Sequence, residues 1–543
     1  MNVRKATVAA GMVTTYLMLT ACTTMQSAPQ AVQSTPEKAK NVIMIIGDGM
    51  GPQQVGLLLA YAKQAPNSVI TDGTTAFDRI AANGRMGISM THANNNLVVD
   101  SAASATQLAT GKLAGAEMVG TDKDGNSAES ILEKAKKLGK STGLVSDTRI
   151  THATPAGFAA HQSHRSLENE IAEDLLNNNV DVMLSGGLRY WIPESVNDEQ
   201  SAVRQELEVL SEGSVVIKSK RKDNRNLIAE AQQKNYDLAF NRSQMEKADG
   251  KILGLFAYSS LPNGITEHQT KNDPARTIPT LKEMSEKAIN SLSKNDEGFF
   301  LMIEAGQIDW AGHYNDTGTM LHEMLRLNET LNYVLDWAEG RDDTLIVVTA
   351  DHETGGFGFS YSANDLPHGR DLPGNVFKEQ QFQPLFNFGD VATLDTLYEQ
   401  KSSYGDIFYS QFDALEADQQ TPASLARIVN SETGFDITEA QAARVLATED
   451  NPLYTEGHPY LSTKTVPKMD VNGAFFAYQT DDNRQNLLAR EVAEQQNVVW
   501  ATGTHTNTPV LVFTQGPGDT TVPFGKVLHH TEVGQHAMEA LED

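Results

Sequence analysis

Short, nearly continuous apolar runs alternate with helical patterns along most of the chain. The runs are rich in β-branched residues, which is typical of strands buried on both faces, and they occupy residues 41–46, 142–146, 182–185, 299–303, 345–349 and 510–513. Between them, apolar residues recur with the spacing of amphipathic helices at 128–138, 281–291 and 321–338. This alternation predicts an α/β fold in which a large, mostly parallel central sheet lies between two layers of helices.

Two stretches depart from this alternation. Residues 193–250 are charged and helical in pattern, which indicates a helical insertion. Residues 361–500 show no regular alternation, although they contain many aromatic side chains: Phe377, Phe382, Phe386, Phe388, Phe408 and Tyr409. Each aromatic by itself is most simply interpreted as local core. We expect one domain over residues 41–543, since a large α/β enzyme can use this much chain in a single domain.

The first 21 residues have the pattern of a secretory signal. Arg4 and Lys5 precede an apolar, small-residue stretch over residues 8–19 that is too short and too weakly apolar to span a membrane. The signal ends in the letters LTAC, which resemble the bacterial lipobox, where cleavage precedes the cysteine and the thiol is lipidated. Cys22 is the only cysteine of the chain. An ordinary signal peptide with an incidental cysteine is the alternative.

Residues 22–40 are rich in Ser, Thr, Gln and Pro, a composition typical of a flexible tether. We therefore expect an exported protein, in the periplasm or at the outer membrane, that is held by a lipid at Cys22 or released from it. The net charge of −27 excludes a general nucleic-acid-binding surface. With one cysteine, neither a disulfide framework nor a thiolate zinc finger can form, so any metal must be bound by His, Asp or Glu.

Carboxylates and imidazoles stand next to several predicted strands. They are Asp48, Glu304, Asp309, His313, Asp351, His352 and His505. Each alone is more often a turn, cap or surface residue than a ligand, but ligands of open α/β sheets bind beyond the carboxyl ends of the strands. Carboxylates gathered there would repel one another without cations. The set therefore predicts divalent metals, with His and Asp suited to zinc and oxygen ligands suited to magnesium. Two such cations about 4 Å apart can support displacement at phosphorus.

A candidate nucleophile lies in the segment DSAASAT, residues 100–106. Ser101 would stand at the N-terminus of a small-residue helix that Gly111 can end. The helix dipole and the free N–H groups there favour an alkoxide and an incoming anion. The alternative is that Asp100 or Ser101 serves only as the N-cap. Arg165 is the candidate for bidentate recognition of phosphate.

Taken together, six features resemble the alkaline phosphatase family. They are GDGMG, DSAASAT, THATPAGFAAHQSHR, IEAGQIDWAGH, TADHETGG and the late His505, and their order and spacing fit over nearly all of residues 41–543. The resemblance implies a three-layer α/β/α fold with metals at the carboxyl ends of the strands. It also implies a homodimeric enzyme that hydrolyses small phosphate monoesters, with two zinc ions and one magnesium ion per subunit, and that scavenges phosphate.

The resemblance also implies a role for each matched residue. Ser101 matches the nucleophile that becomes phosphoserine, and Arg165 matches the arginine that binds phosphate. The matched metal ligands are Asp309, His313 and His505 for the first zinc, Asp48, Asp351 and His352 for the second zinc, and Asp48, Thr154 and Glu304 for magnesium.

At two of the matched positions, which the resemblance places in contact with the substrate, the residue type differs between members of the family. His152 and Trp310 stand where some bacterial members have Asp and Lys, and where mammalian members have His at both. With a long insertion between His352 and His505, this pair resembles the marine bacterial, cold-adapted type. That implies weaker magnesium binding and faster phosphate release. It also implies that part of the insertion, about residues 361–450, grips the partner subunit.

Two other functions remain open. One is a phosphodiesterase of the same superfamily, although such enzymes usually have a Thr nucleophile and lack the equivalent of Arg165. The other is a catalytically inactive surface lipoprotein, which would contain no bound metal. Sulfatases are set aside because DSAAS does not match their Cys/Ser-x-Pro-x-Arg motif.

Overall fold

Sixteen strands are present in the computed structural model, which describes residues 38–469, 479 and 483–541. In chain order they are β1 Asn41–Gly47, β2 Arg85–Met90, β3 Ser141–Arg149, β4 Val182–Gly186, β5 Tyr236–Ala239, β6 Lys251–Leu255, β7 Phe299–Ala305, β8 Thr344–Ala350, β9 Glu353–Thr354, β10 Gly358–Phe359, β11 Thr448–Asp450, β12 Thr465–Pro467, β13 Val498–Val499, β14 His505–Thr506, β15 Val510–Gln515 and β16 Val527–His529. The predicted signal, Cys22 and the tether up to residue 37 lie outside the described residues.

Ten of these strands form the central sheet, in the order β16-β2-β15-β8-β1-β7-β3-β4-β6-β5. From β8 to β5 every neighbouring pair is parallel, and β15 is antiparallel to both of its neighbours. The other strands form three small two-stranded sheets. The sheet is therefore mixed but mostly parallel, as the sequence predicted.

Helices surround this sheet. They are α1 Pro52–Gln64, α2 Ala76–Asn83, α3 Ser101–Thr110, α4 Ile131–Lys137, α5 Ala153–Ala159, α6 Glu168–Asn178, α7 Ala202–Leu210, α8 Leu227–Gln233, α9 Arg242–Lys247, α10 Gly264–Thr270, α11 Leu281–Leu292, α12 Gln307–His313, α13 Thr317–Ala338, α14 Thr393–Tyr398, α15 Tyr404–Asp406, α16 Pro422–Glu432, α17 Glu439–Leu446, α18 Asn483–Gln496 and α19 His530–Leu541. Among the described residues, no helix combines the length and the apolar character needed to cross a bilayer.

Strand β1 shows why the helices form two layers. Its side chains alternate between two large apolar clusters, with Val42, Met44 and Ile46 in one and Ile43 and Ile45 in the other. The first cluster includes apolar residues of α3–α6 and α19, and the second includes those of α1, α2, α11 and α13. Because successive side chains of a strand point to opposite faces, a continuously apolar strand requires cover on both. This confirms the predicted three-layer α/β/α fold.

The helix boundaries follow local capping groups. Helix α4 begins after Ser130, and α11 begins after Thr280, each of which forms a capping box with a Glu three residues later. Helix α13 begins after Asp316, whose side chain accepts a hydrogen bond from the backbone of Thr319. These caps explain why α4 starts later, and α13 earlier, than the apolar periodicity alone indicates.

The segment 193–250 contains helices and also one strand of the central sheet. Strand β5 pairs in parallel with β6 at the edge of the sheet, while α7, α8 and α9 lie in the same segment. The sequence analysis did not identify β5, because it is four residues long and contains an exposed Asp237. The segment therefore extends the sheet as well as adding helices.

The irregular stretch after β10 divides into two parts. Residues 361–391 are mostly exposed and contain no described helix or long strand, whereas α14–α18 pack a third apolar cluster against α1 and α13. The interpretation of the aromatics as local core holds for Phe408, which is buried. It is wrong for Phe386, Phe388 and Tyr409, which are exposed.

Candidate active site

The carboxyl ends of three adjacent central strands bring the predicted ligands together. The register pairs Gly47 of β1 with Ala305 of β7 on one side and with Ala350 of β8 on the other. Asp48 and Asp351 directly follow two of these residues, and α12 begins two residues after Ala305. The parallel arrangement therefore places side chains that are far apart in the chain at one edge of the sheet.

One group of ligand atoms comes from Asp309, His313 and His505, and these atoms all lie within 4.8 Å of one another. Nδ1 of His313 is 2.7 Å from the carbonyl oxygen of Gly503, and Nδ1 of His505 is 2.9 Å from that of Val99. Because a carbonyl oxygen only accepts hydrogen bonds, both rings carry a hydrogen on Nδ1, and in the neutral ring Nε2 is left with the lone pair that can bind a metal. This arrangement is typical of metal-binding histidines.

A second group contains Asp48, Asp309 and His352 within the same 4.8 Å limit. Asp351 adjoins it, because its Oδ2 is 3.1 Å from Nε2 of His352, while Oδ1 of Asp48 is 3.5 Å from that nitrogen. Oδ1 of Asp351 accepts the backbone N–H groups of Gly49 at 3.0 Å and His352 at 2.8 Å. These bonds orient the carboxylate and leave Oδ2 without a hydrogen-bond partner.

Asp48 also belongs to a third group, with His152 and Glu304. Oε2 of Glu304 accepts hydrogen bonds from two hydroxyls of β3, one of them Thr148 at 3.0 Å, whereas Oε1 has no hydrogen-bond partner. Burial raises the pKa of Glu304 to about 8, and the neighbouring Thr154 hydroxyl opposes that rise. Thr154 is buried, and its hydroxyl oxygen has no hydrogen-bond partner among the described residues.

The clustered carboxylates lack balancing cations among the described side chains. Asp48, Glu304, Asp309 and Asp351 are at most 4% exposed, and in the described part of the chain none is paired with Lys or Arg. Both carboxylate oxygens of Asp48 lack a hydrogen-bond partner, and burial together with the Asp351 carboxylate raises the pKa of Asp48 well above its ordinary value. Orphaned, buried oxygens beside lone-pair imidazoles fit divalent cations.

Ser101 is the first residue of α3 and faces this cluster. Asp100 is the N-cap, since its side chain accepts the N–H of Ala102 at 2.9 Å, and Gly111 ends the helix in the left-handed conformation at φ 63°. Oγ of Ser101 is 3.2 Å from Nε2 of His352, and the residue is 2% exposed. The capping role therefore falls to Asp100, and the Ser101 hydroxyl lies at the positively polarised end of the helix.

Arg165 lies at the same site, between two side chains that orient it. Its Nη1 is 3.4 Å from Oδ2 of Asp100, and its Nη2 is 3.2 Å from Nε2 of His152. Burial, together with the charges of Arg149 and Arg165, lowers the pKa of His152 well below its ordinary value, so the ring is neutral and can accept from Arg165. The Trp310 ring stands nearly perpendicular to His152, with 6.3 Å between centroids.

A cavity of about 800 Å³ joins these groups to the surface. Its lining also includes residues that the sequence analysis did not assign to the site: Arg149, Glu168, Tyr314, Tyr409, His458 and Tyr460. Arg149 is the last residue of β3 and bonds Glu168 at 2.6 and 3.0 Å, so the strand-end rule could have found it. Tyr409, His458 and Tyr460 come from the irregular stretch, which carries no such signal.

A serine, an arginine and three groups of side chains that could hold a metal ion thus lie together beyond the carboxyl ends of the central strands, an arrangement typical of metal-dependent hydrolases. The family model described as alkaline phosphatase matches residues 39–542. Alkaline phosphatase 3 of Bacillus subtilis is 30% identical over 529 residues, covering 95% of this chain and 92% of that protein. The chain belongs to the alkaline phosphatase family. It is a phosphate-monoester hydrolase, which confirms the predicted family and reaction class.

Solved structures agree with this assignment. A cold-active alkaline phosphatase from Shewanella sp. superposes with a TM-score of 0.65 at 26% identity, covering 93% of this chain and 100% of that chain. The alkaline phosphatase of Thermus thermophilus gives a TM-score of 0.70 at 23% identity, covering 93% and 92%, which shows the shared fold. The family and the three ligand groups together support metal ions as cofactors.

Proposed function

We propose that the enzyme hydrolyses phosphate monoesters through a phosphoserine on Ser101, with two zinc ions and one magnesium ion per subunit. The observation that carries this proposal is the position of the Ser101 hydroxyl, 3.2 Å from Nε2 of His352 at the N-terminus of α3. The hydroxyl lies beside the second group of cation ligands, where a serine alkoxide is stabilised. Arg165 lines the same cavity and has the planar fork that binds two phosphoryl oxygens.

The three ligand groups fit this set of cations. The proposed ligands are Asp309, His313 and His505 for the first zinc, Asp48, Asp351 and His352 for the second, and Asp48, Thr154 and Glu304 for magnesium. Mixed carboxylate and imidazole donors suit zinc, and oxygen donors suit magnesium. When bound, the cations supply positive charge that favours the ionised nucleophile and offsets charge on the phosphoryl and leaving oxygens.

Two in-line displacements complete the reaction. First, the Ser101 hydroxyl gives its proton to water and its oxygen bonds to phosphorus while the ester P–O bond breaks, and the alcohol leaves with the electron pair and takes a proton from water. Second, water attacks the phosphoserine, the P–Oγ bond breaks, and Ser101 regains a proton as phosphate is released. Each displacement inverts phosphorus, so the overall reaction retains its configuration. Arg165 holds the phosphoryl oxygens throughout, and Asp100 and His152 position its guanidinium.

His152 and Trp310 form the proposed wall of the site beside Arg165. Both line the cavity, and the neutral imidazole and the indole add no positive charge for the phosphate. An ammonium group at the position of Trp310 would attract the product phosphate more strongly. We therefore expect phosphate to be released readily.

We further propose that the enzyme is an exported homodimer that scavenges phosphate and is anchored through a lipid on Cys22. Exposed apolar side chains on β2, namely Met86, Ile88 and Met90, support a partner surface at that end of the sheet. The exposed residues 361–391 are the part of the long insertion that is available to grip a second subunit. Cys22 itself lies outside the described residues.

The decisive experiment measures hydrolysis of p-nitrophenyl phosphate and of its bis-ester by the mature enzyme. Ser101→Ala should lower kcat/KM for the monoester at least about 10³-fold, since the nucleophile is lost. Ser163→Ala is the control and should leave kcat/KM unchanged, because Ser163 is exposed, lies two residues before Arg165 and does not line the cavity. Removal of metals by EDTA should abolish activity, and zinc with magnesium should restore it.

The same assays separate the alternatives. Acid-quenched enzyme should carry phosphate on Ser101, and elemental analysis should find zinc and magnesium in a ratio of about two to one. Full activity in Ser101→Ala would overturn the phosphoserine mechanism. Faster hydrolysis of the bis-ester would favour a phosphodiesterase, and metal-free, inactive protein would favour the inactive lipoprotein.

A further inference from the structure

Strand β3 has a bulge beside Glu304. Its register with β4 shifts between Val145 and Arg149. On its other side, β3 keeps an unbroken register with β7 as far as the pair Ser146 and Glu304. Bulges bend a strand and redirect its side chains, and they are frequent next to active sites. The bulge, residues 146–148, therefore lies at the end of β7 that carries a proposed magnesium ligand.

Two hydroxyls of the bulge hold the Glu304 side chain. Ser146 and Thr148 both donate to Oε2 of Glu304, the second at 3.0 Å. Oε1 of the same carboxylate has no hydrogen-bond partner among the described residues, so it is the oxygen left for a cation. Partners of this kind fix the orientation of a metal ligand. The bulge thus determines where Oε1 of Glu304 points.

Asp147, the middle residue of the bulge, holds the turn that follows Glu304. Its Oδ1 accepts the backbone N–H of Gly306 at 2.7 Å, and its backbone carbonyl oxygen accepts Nε2 of Gln307 at 3.0 Å. The turn and the bulge are closely packed, since a Cβ at position 306 would clash with Cγ2 of Thr148. One residue of β3 therefore fixes the chain between β7 and α12.

Arg326 of α13 holds Asp147 from behind. Its Nη1 donates to Oδ2 of Asp147 at 2.9 Å, and its Nη2 donates to the carbonyl oxygen of Pro262 at 2.6 Å. The side chains of Arg326 and Asp147 are 2% and 1% exposed, and Glu323 lies 3.0 Å from the same Nη1. Loss of one partner from a buried ion pair leaves the other charge unpaired. The Asp147 carboxylate therefore depends on Arg326 to stay buried in this position.

We propose that Asp147 and Arg326 are positioning residues that hold Glu304 in the orientation required to bind magnesium. The inference rests on the proposed function, since it requires magnesium at Glu304. The described lining of the catalytic cavity contains neither residue, so neither touches the substrate. Arg326 acts through Asp147, and Asp147 acts through the bulge of β3 and the turn at Gly306.

The test measures magnesium binding to the mature enzyme rather than its activity. Enzyme stripped with EDTA and reloaded with zinc is equilibrated with graded free magnesium, and the bound magnesium is determined by elemental analysis. Arg326→Gln should raise the dissociation constant for magnesium by about tenfold, as is typical when the partners of a metal ligand are disturbed. Electrostatics alone predicts the opposite sign, because removal of a positive charge favours a nearby cation. An unchanged or lower dissociation constant would overturn the proposal.

Arg221→Gln is the matched control. Arg221 is also buried and pairs with Glu173 and Asp223 at 2.9 and 2.7 Å, but it lies in the segment 193–250. Its replacement removes the same charge and should leave the dissociation constant for magnesium unchanged. Both variants should retain the zinc content of wild type, which shows that the zinc ligands remain in place. An equal rise in both variants would overturn the positioning role, because it would show only a general effect of losing a buried arginine.

Two variants of Thr148 test the bulge without leaving a buried charge unpaired. Thr148→Val keeps the branched shape but removes a hydroxyl that orients Glu304, and it should raise the dissociation constant for magnesium by about threefold to tenfold. Thr148→Ser keeps the hydroxyl and should bind magnesium nearly as wild type does. Equal magnesium binding by Thr148→Val and wild type would overturn the proposed action through the bulge.

A double variant tests whether Arg326 acts through Asp147. Once Asp147→Asn has disrupted the contact, Arg326→Gln should raise the dissociation constant for magnesium little further. Independent, additive effects of the two substitutions would contradict the proposed path.

Glu304→Gln separates this inference from the proposed function. The variant should lose the magnesium that wild type binds. If wild type and Glu304→Gln bind magnesium alike, the proposed magnesium site itself is wrong. If Glu304→Gln loses magnesium while Arg326→Gln and Thr148→Val retain wild-type affinity, only the positioning role is overturned.

Discussion

Nε2 of His530 lies 2.8 Å from the backbone carbonyl oxygen of Asp351. The same carbonyl accepts the hydroxyl of Ser104 at 2.7 Å, and Nδ1 of His530 is 2.7 Å from Oγ of Ser89. Because the carbonyl only accepts, His530 donates through Nε2 and accepts from Ser89 through Nδ1. One carbonyl at the end of β8 therefore joins the helix of the nucleophile to the C-terminal helix, and this contact positions a proposed zinc ligand.

Replacement of His530 by Ala should destabilise the enzyme by about 2–4 kcal/mol, because it removes two buried hydrogen bonds and leaves a cavity. Urea denaturation of the metal-loaded enzyme, followed by circular dichroism, measures this loss. His529→Ala is the control, since His529 is only partly buried and bonds the carbonyl oxygen of His92 at 2.9 Å. It should cost about 1 kcal/mol or less. Equal losses in the two variants would contradict the role assigned to His530.

The strands that carry the ligands could be predicted from the sequence. A parallel sheet covered on both faces favours continuously apolar strands, and β1 and β8 are buried at every position, with unbroken apolar runs over residues 42–46 and 345–348. Asp48 and Asp351 directly follow these strands, and their polar side chains contrast with the apolar runs before them. This contrast identifies them in the sequence as candidate ligands. The start of a small-residue helix indicated Ser101 as a candidate nucleophile, the six matched features gave roles to Ser101 and Arg165, and the structure brings both to the same cavity.

Contacts made by backbone groups or by irregular segments could not be predicted. His530 donates a hydrogen bond to the backbone carbonyl oxygen of Asp351. Every residue type has this group, so the contact cannot be recognised from the sequence. Tyr409 depends on a π turn, and Tyr460 depends on a loop held by Asn451, so neither follows a regular period. The edge strand β5 was missed for a related reason, since four residues that include an exposed Asp237 give too weak a pattern.

His152→Asp should strengthen magnesium binding. His152 shares a ligand group with Asp48 and Glu304, and a carboxylate there would complete a set of oxygen donors, which magnesium prefers. After chelation and reloading with zinc, the magnesium concentration that restores half of the activity should fall by about tenfold. The control is His164→Asp, which adds the same charge to the cavity lining outside that ligand group. An unchanged magnesium requirement in His152→Asp would count against the proposed magnesium site.

The His161–Glu133 pair should make stability depend on pH. Nε2 of His161 is 2.9 Å from Oε1 of Glu133, and Nδ1 is 2.6 Å from the carbonyl oxygen of Gly120. Both ring nitrogens thus face acceptors, and the bond to Glu133 raises the pKa of His161, with Asp174 adding to the rise. Because the pKa is higher in the folded chain, the stabilisation is complete below the unfolded pKa of about 6.5 and is lost as pH rises through the folded pKa.

His161→Gln removes this titrating group. The variant should be about 1 kcal/mol less stable than wild type near pH 5.5, and the difference should shrink toward pH 9. Urea midpoints measured across this range report the difference. His536→Gln is the control, because His536 pairs with Glu539, a glutamate whose side chain is 67% exposed and therefore well screened. If the difference in stability between wild type and His161→Gln instead grew as the pH rose, it would contradict the proposed His161–Glu133 interaction.

A charge placed on the exposed face of β2 should separate the proposed dimer. Met86, Ile88 and Met90 alternate along the strand and so share one face of the sheet, and the neighbouring β16 exposes Val527. Ile88→Glu would place a carboxylate at the centre of this apolar surface, where burial against a partner would leave it unpaired. Light scattering should therefore show a dimer for wild type and a monomer for Ile88→Glu. Val209→Glu, at an exposed valine of α7, is the control and should remain dimeric; dissociation of both variants would show only a general effect of added negative charge.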